Sequence, residues 1–115
     1  VSAGYLEPYD SYANRIATLR FVQDIPMSPD APSYSVVKNI EENLSQFKSL
    51  PTMIIWGAKD FVFNDHFLKR WQGIFPDAEV HRVQDAGHYV VEDAHERIIP
   101  WMQEFFQRNP PYSDL

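Results

Sequence analysis

With 115 residues, 44% of them hydrophobic and 15% aromatic, the chain holds enough apolar material for one modest packed domain and does not read as a disordered tail. Its 10 basic and 16 acidic residues give a formal charge of -6, which repels a phosphate backbone and an anionic lipid surface, so neither nucleic acid nor membrane is expected as a partner. There is no cysteine to form a disulfide framework, which fits a reducing, cytoplasmic compartment.

No apolar run approaches the roughly twenty residues a membrane helix needs, and Val1-Ser2-Ala3-Gly4-Tyr5 lacks the basic-then-apolar pattern of a leader. Because the chain opens on Val1 rather than methionine, its numbering is expected to start inside a larger protein.

In chain order, Tyr12, Ala13, Ile16, Leu19 and Phe21 fit a helical stripe, giving a first helix over roughly Tyr9 to Gln23. Pro26, Pro29 and Pro32 make the following stretch a connector. Ser33 offers an N-cap to a second amphipathic helix carrying Val37, Ile40, Leu44 and Phe47. Pro51 to Gly57 is a short apolar run without alternation, the pattern of a strand buried on both faces of a parallel sheet. Asn64 or Asp65 can cap a third helix bearing Phe67, Leu68, Trp71, Ile74 and Phe75, stopped by Pro76.

Glu79 to Val83 is a second strand, and two strands joined through a helix make a parallel βαβ unit whose carboxyl ends share one edge. Asp93 and Glu96 suit a capping box for a last helix with Ile98, Trp101, Met102, Phe105 and Phe106 on its apolar face and a kink or delay at Pro100. The tail after Arg108 has no periodicity and is expected to be loose. The whole is read as a single partial α/β domain: one βαβ unit, two helices before it and one after.

Catalytic groups in open α/β sheets gather beyond the carboxyl ends of the strands. Two loops qualify, Gly57-Ala58-Lys59-Asp60-Phe61 and Asp85-Ala86-Gly87-His88-Tyr89, each with a glycine that lets the backbone turn sharply. Asp60 can fix the tautomer of His88, whose other nitrogen would then act as base. Each residue also has a plain structural reading, Asp60 as a turn cap or a surface partner of Lys59 and His88 as a bonded core histidine. A metal site from His81, Asp85, His88 and His95 matches no closed zinc spacing, so no metal or other cofactor is expected. Glu92 and Asp93 are read as helix caps, and Trp56, Trp71 and Trp101 as core residues.

Taken together, these segments resemble the end of the α/β-hydrolase family. Ile54-Ile55-Trp56-Gly57-x-x-Asp60 looks like that family's acid turn, and Ala86-Gly87-His88-Tyr89 with Glu92-Asp93 looks like its histidine loop, 28 residues on. Glu7-Pro8-Tyr9-Asp10-Ser11-Tyr12, Asn14-Arg15-Ile16-Ala17, Arg20-Phe21-Val22-Gln23-Asp24-Ile25-Pro26 and Pro32-Ser33-Tyr34 are similar to the segment after the cap in haloalkane dehalogenases, epoxide hydrolases and β-lactone decarboxylases.

Many dehalogenases carry proline where this chain has Val22, and the form here looks more like the decarboxylase branch. The resemblance implies a covalent ester on an aspartate, hydrolysed by water that His88 activates. It also implies catalytic roles for Asp60 and His88 and a small hydrophobic substrate.

A nucleophile elbow of the form Gly-x-Ser-x-Gly, or its aspartate or cysteine variants, is absent, since Gly4, Gly57, Gly73 and Gly87 lie too far apart to make one. The chain alone is therefore expected to be inactive. Its first strand leaves an edge open, so pairing with a second copy or with the rest of its own protein is expected. A hydrolase-fold module that binds without catalysis is the alternative.

Overall fold

The computed structural model describes residues 2–110; Pro111 to Leu115, most of the segment expected to be loose, lie outside the described residues. The chain divides into two compact units between Asn43 and Leu44.

The first unit is helical. Helix α1 spans Ser2–Leu6, a 3-10 turn follows over Glu7–Tyr9, α2 spans Tyr12–Gln23 and α3 spans Tyr34–Asn43. The helix expected from Tyr9 starts three residues later because Ser11 caps it, accepting from the Asn14 amide at 3.2 Å in an extended backbone. Two further bonds secure this start, Asn14 Nδ2 to Asp10 Oδ1 at 2.6 Å and Arg15 Nε to the Tyr9 carbonyl at 2.9 Å. Helix α3 begins after Ser33, whose hydroxyl donates to the Asp24 carbonyl at 2.7 Å and so ties the proline connector to the helix start. None of the described residues of α1, α2 or α3 is buried, and Ile16, Leu19, Val37 and Ile40 are exposed.

The second unit carries the sheet. A 3-10 turn over Leu44–Phe47 takes the positions that periodicity assigned to the end of the second helix. Strand β1 (Met53–Gly57), helix α4 (Asp65–Ile74) and strand β2 (Glu79–Val83) then form the expected parallel βαβ unit. The register runs from Met53 opposite Glu79 to Gly57 opposite Val83, so both strands end level. Asn64 caps α4, its side chain accepting from the His66 amide at 2.9 Å. Arg82 on β2 holds Asp65 by two 2.9 Å bonds, Nε to Oδ1 and Nη2 to Oδ2.

Helix α5 (Val90–Arg108) covers the sheet, and Val83, Ala86, Ala94 and Ile98 form the core with Ile55, Val90 and Trp101 packed against it. Its start differs from the expected capping box: Tyr89 precedes it without a side-chain cap, and the helical path breaks at Ala94, with φ -142 and ψ 20, rather than at Pro100. Pro100 lies within the helix and the backbone there stays helical. At the far end Glu79 accepts from Arg108 Nη2 at 2.6 Å and pairs with His81 Nε2 at 2.7 Å, while the His81 ring stacks on Trp101 at 4.2 Å.

Candidate active site

Because β1 and β2 end in register, the loops that follow them leave the sheet side by side. Backbone bonds then staple the loops: the Ala58 amide donates to the Val83 carbonyl at 2.8 Å and the Lys59 amide to the Ala86 carbonyl at 2.9 Å. Neither Gly57 nor Gly87 takes the left-handed backbone that a sharp turn would require, so the expected reason for these glycines is corrected. Gly57 is needed because the two loops touch backbone to backbone. A Cβ there would lie 2.1 Å from the Gly87 carbonyl oxygen and 2.9 Å from that of Ala86. At Gly87 a Cβ would meet the Asp93 carboxylate at an ordinary 3.5 Å.

This staple brings Asp60 and His88 together. His88 Nδ1 lies 3.0 Å from Asp60 Oδ2 and 3.1 Å from Oδ1. The Asp60 side chain is 10% exposed and that of His88 is 30% exposed, so the acid is the deeper member of the pair. Asp60 Oδ1 also accepts from the Val62 and Phe63 amides, both at 2.8 Å, which fixes the carboxylate independently of the histidine. An ionised carboxylate accepts only, so it selects the tautomer with the proton on Nδ1 and leaves a lone pair on Nε2.

Burial works to raise the Asp60 carboxyl, but hydrogen bonds from Phe63, His88 and Val62, with the histidine's charge, outweigh it and hold the group below the usual carboxylate range. The acid therefore stays ionised as an orienting partner should.

Aromatic rings crowd the histidine. Phe61, Phe63 and Tyr89 lie with ring centroids 6.1, 5.6 and 5.4 Å from His88. A cavity of about 140 Å³ opens beside the pair, lined by Ile55, Trp56, Phe63 and Val90 together with the two glycines, Asp60 and His88. Trp56 was expected to be a plain core residue, but it lines this cavity and donates from Nε1 to the Phe63 carbonyl at 3.0 Å. Trp71 is 39% exposed, whereas Trp101 packs on the core.

Three other features of the two loops were not legible. The Gly87 amide donates to Asp93 Oδ2 at 2.7 Å, so the carboxylate assigned to a capping box instead grips the loop. Arg97 Nη2 donates to Asp85 Oδ1 at 2.9 Å, and this bond is the leading reason the Asp85 carboxyl sits below its usual range. Phe61, 85% exposed, brings its ring from the acid loop to 6.1 Å from that of His88. The only sequence signal for the first of these was a carboxylate placed six residues beyond the glycine. Lys59 makes its described contact through its backbone, and Asp60 is engaged by His88. Among the described residues no three His, Asp or Glu side chains converge to hold a metal ion, and no helix is long and apolar enough to cross a membrane.

Comparison with known proteins agrees with this architecture. The family model for the alpha/beta hydrolase fold matches residues 4–95. The chain is 46% identical over 105 residues to a cis-3-alkyl-4-alkyloxetan-2-one decarboxylase of Shewanella oneidensis, covering 91% of this chain and 33% of that protein. It is 43% identical over 110 residues to the protein of the same name from Xanthomonas campestris, covering 96% of this chain and 37% of that one. Haloalkane dehalogenase 2 of Mycobacterium tuberculosis is 27% identical over 106 residues, again across 91% of this chain and 37% of the relative. The chain thus spans about a third of the length of these curated relatives. Its parallel βαβ unit, the level strand ends and the family match together place the chain in the α/β-hydrolase fold family.

Proposed function

We propose that Asp60 and His88 are the acid and base of an enzyme that works through a covalent ester on a nucleophile supplied from outside these 115 residues. The observation that carries this is the 3.0 Å contact between His88 Nδ1 and an Asp60 carboxylate fixed by two backbone amides. That arrangement leaves Nε2 to take a proton from the water attacking the ester, while Asp60 stabilises the imidazolium that forms. Without an elbow nucleophile the 115 residues alone turn over no substrate.

The substrate class best supported is a small apolar oxetan-2-one, with a haloalkane as the second reading. The names of the relatives at 46% and 43% identity favour the lactone, as does Val22. The rings of Phe61, Phe63 and Tyr89 around His88 favour alkyl over charged substituents in either case. The reading is of a cytoplasmic enzyme, in keeping with a sequence that has no cysteine. The uncovered edge of β1 and the exposed apolar positions of the helices are covered by the nucleophile-bearing polypeptide or by a second copy.

The test is turnover by a longer polypeptide that joins these residues to a nucleophile elbow, assayed with a dialkyl oxetan-2-one and with a bromoalkane. Consumption of the lactone, as the hydroxy acid that water attack on the ester gives or as an alkene and carbon dioxide if the opened carboxylate expels the nucleophile instead, supports the first reading, and release of bromide alone supports the second. Turnover of either by the 115-residue chain would overturn the assignment of the nucleophile to another segment.

A further inference from the structure

We propose that Asp93 is a positioning residue for His88, acting by holding the peptide just before it. This rests on the reading of His88 as the base. The Gly87 amide, one peptide before His88, donates to Asp93 Oδ2 at 2.7 Å. That distance is short for an N–H···O bond and fits one whose acceptor is ionised.

The local backbone makes this contact possible. Helix α5 leaves helical geometry at Ala94, next to Asp93, and Tyr89 starts the helix without using any side chain as a cap. Asp93 is exposed and closes the first turn of α5 through its amide on the Tyr89 carbonyl, while its carboxylate, beside the break at Ala94, bonds the residue before the histidine. The loop is held at two further points, by the Lys59 amide on the Ala86 carbonyl and by Arg97 on Asp85. The Lys59 bond fixes the loop's distance from the acid, and the Arg97 bond acts on its outer side. Asp93 holds the amide end of the Ala86–Gly87 peptide, the unit whose carbonyl end Lys59 holds, one peptide before His88. With its amide released, that peptide is held only at its carbonyl and can tilt about the Lys59 bond, carrying the imidazole with it while Asp60 stays fixed by Val62 and Phe63.

A helix cap and a loop clamp differ in what they move. Amide hydrogen exchange in the unaltered chain is the first measurement: Gly87 should exchange more slowly than an open amide by on the order of tenfold. Free exchange at Gly87 overturns the proposal. Asp93→Ser keeps a good capping side chain but is too short to span the contact, whereas Asp93→Asn keeps an acceptor of the same length. Asp93→Ser is expected to release the Gly87 amide and to shift the ¹⁵N signals of the His88 ring, with Asp93→Asn retaining both.

Unmoved His88 signals in folded Asp93→Ser overturn the proposal, because a cap alone would alter stability and leave the imidazole in place. In a polypeptide that carries the nucleophile, Asp93→Ser should lower kcat on the order of tenfold with KM changed by less than about twofold. If the ring signals shift while His88→Gln turns over normally, the clamp stands and the reading of His88 as the base fails.

Discussion

A single methyl group at Gly57 should do more damage than one at Gly87, although both glycines sit in the same pair of loops. A Cβ at position 57 would lie 2.1 Å from the Gly87 carbonyl oxygen, against a closest comfortable carbon–oxygen approach of about 3.3 Å. The loops must therefore part by about 1.2 Å, the difference between those two values. Such a movement stretches the 2.9 Å Lys59–Ala86 bond and the 2.8 Å Ala58–Val83 bond beyond hydrogen-bonding range.

Two backbone bonds at about 0.5–1.5 kcal/mol each, with an overpacking cost of about 1–3 kcal/mol, give roughly 2–6 kcal/mol of destabilisation. That rivals the roughly 3–5 kcal/mol that a core of this size supplies. Gly87→Ala, by contrast, meets only a side-chain oxygen at 3.5 Å and should change stability by less than about 1 kcal/mol. Urea unfolding followed by the fluorescence of Trp56, Trp71 and Trp101 measures both variants. A Gly57→Ala variant within about 0.5 kcal/mol of the parent, or one no worse than Gly87→Ala, would refute the backbone contact as the reason for glycine.

Other perturbations should separate the site from its support. Asp60→Asn keeps an acceptor for Val62 and Phe63 but no longer enforces the Nδ1–H tautomer. Turnover by a nucleophile-bearing polypeptide should fall by on the order of a thousandfold or more with binding little changed, and steady-state kinetics decide it. Ile98→Ala empties a position that is 3% exposed in the core and should cost about 2–5 kcal/mol, while Ile99→Ala, at a position 51% exposed, should cost under about 1 kcal/mol by the same unfolding assay.

Asp60, Asp65, Glu79 and Asp85 are all held below their usual range, in turn by burial-opposing amide bonds, by Arg82, by Arg108 and by Arg97. A carboxyl with a depressed folded pKa stabilises the fold above its unfolded value and loses that contribution as pH falls through the folded value. Stability should therefore hold near neutrality and decline below about pH 4 in an acid titration followed by circular dichroism.

What the sequence revealed was local. The apolar run Met53–Gly57 forms the parallel strand it was read as, although only Gly57 is buried and Met53 to Trp56 are half-buried rather than covered on both faces, and Asn64 caps the helix it precedes. The 28-residue separation of Asp60 and His88 was readable because one helix and one strand must fit between two loops on the same edge.

The parts that could not be read depend on contacts across the fold. Gly57 looked like a turn residue, yet its constraint comes from Gly87, thirty positions away in the chain. Asp93 three residues before Glu96 has the spacing of a capping box, but the nearby Gly87 amide takes its carboxylate. Pro100 was the obvious place for a break, and the break falls at Ala94, where Asp93 reaches towards the loop. The first long helix was read from about Tyr9, but Ser11 caps α2 and starts it at Tyr12.

The most direct test of the assignment is to replace His88 by glutamine in a polypeptide that joins these residues to a nucleophile elbow, and to compare turnover and substrate binding with the parent. The account predicts that turnover falls by on the order of a thousandfold or more while the substrate Kd changes by less than about twofold. Turnover equal to the parent's would contradict it.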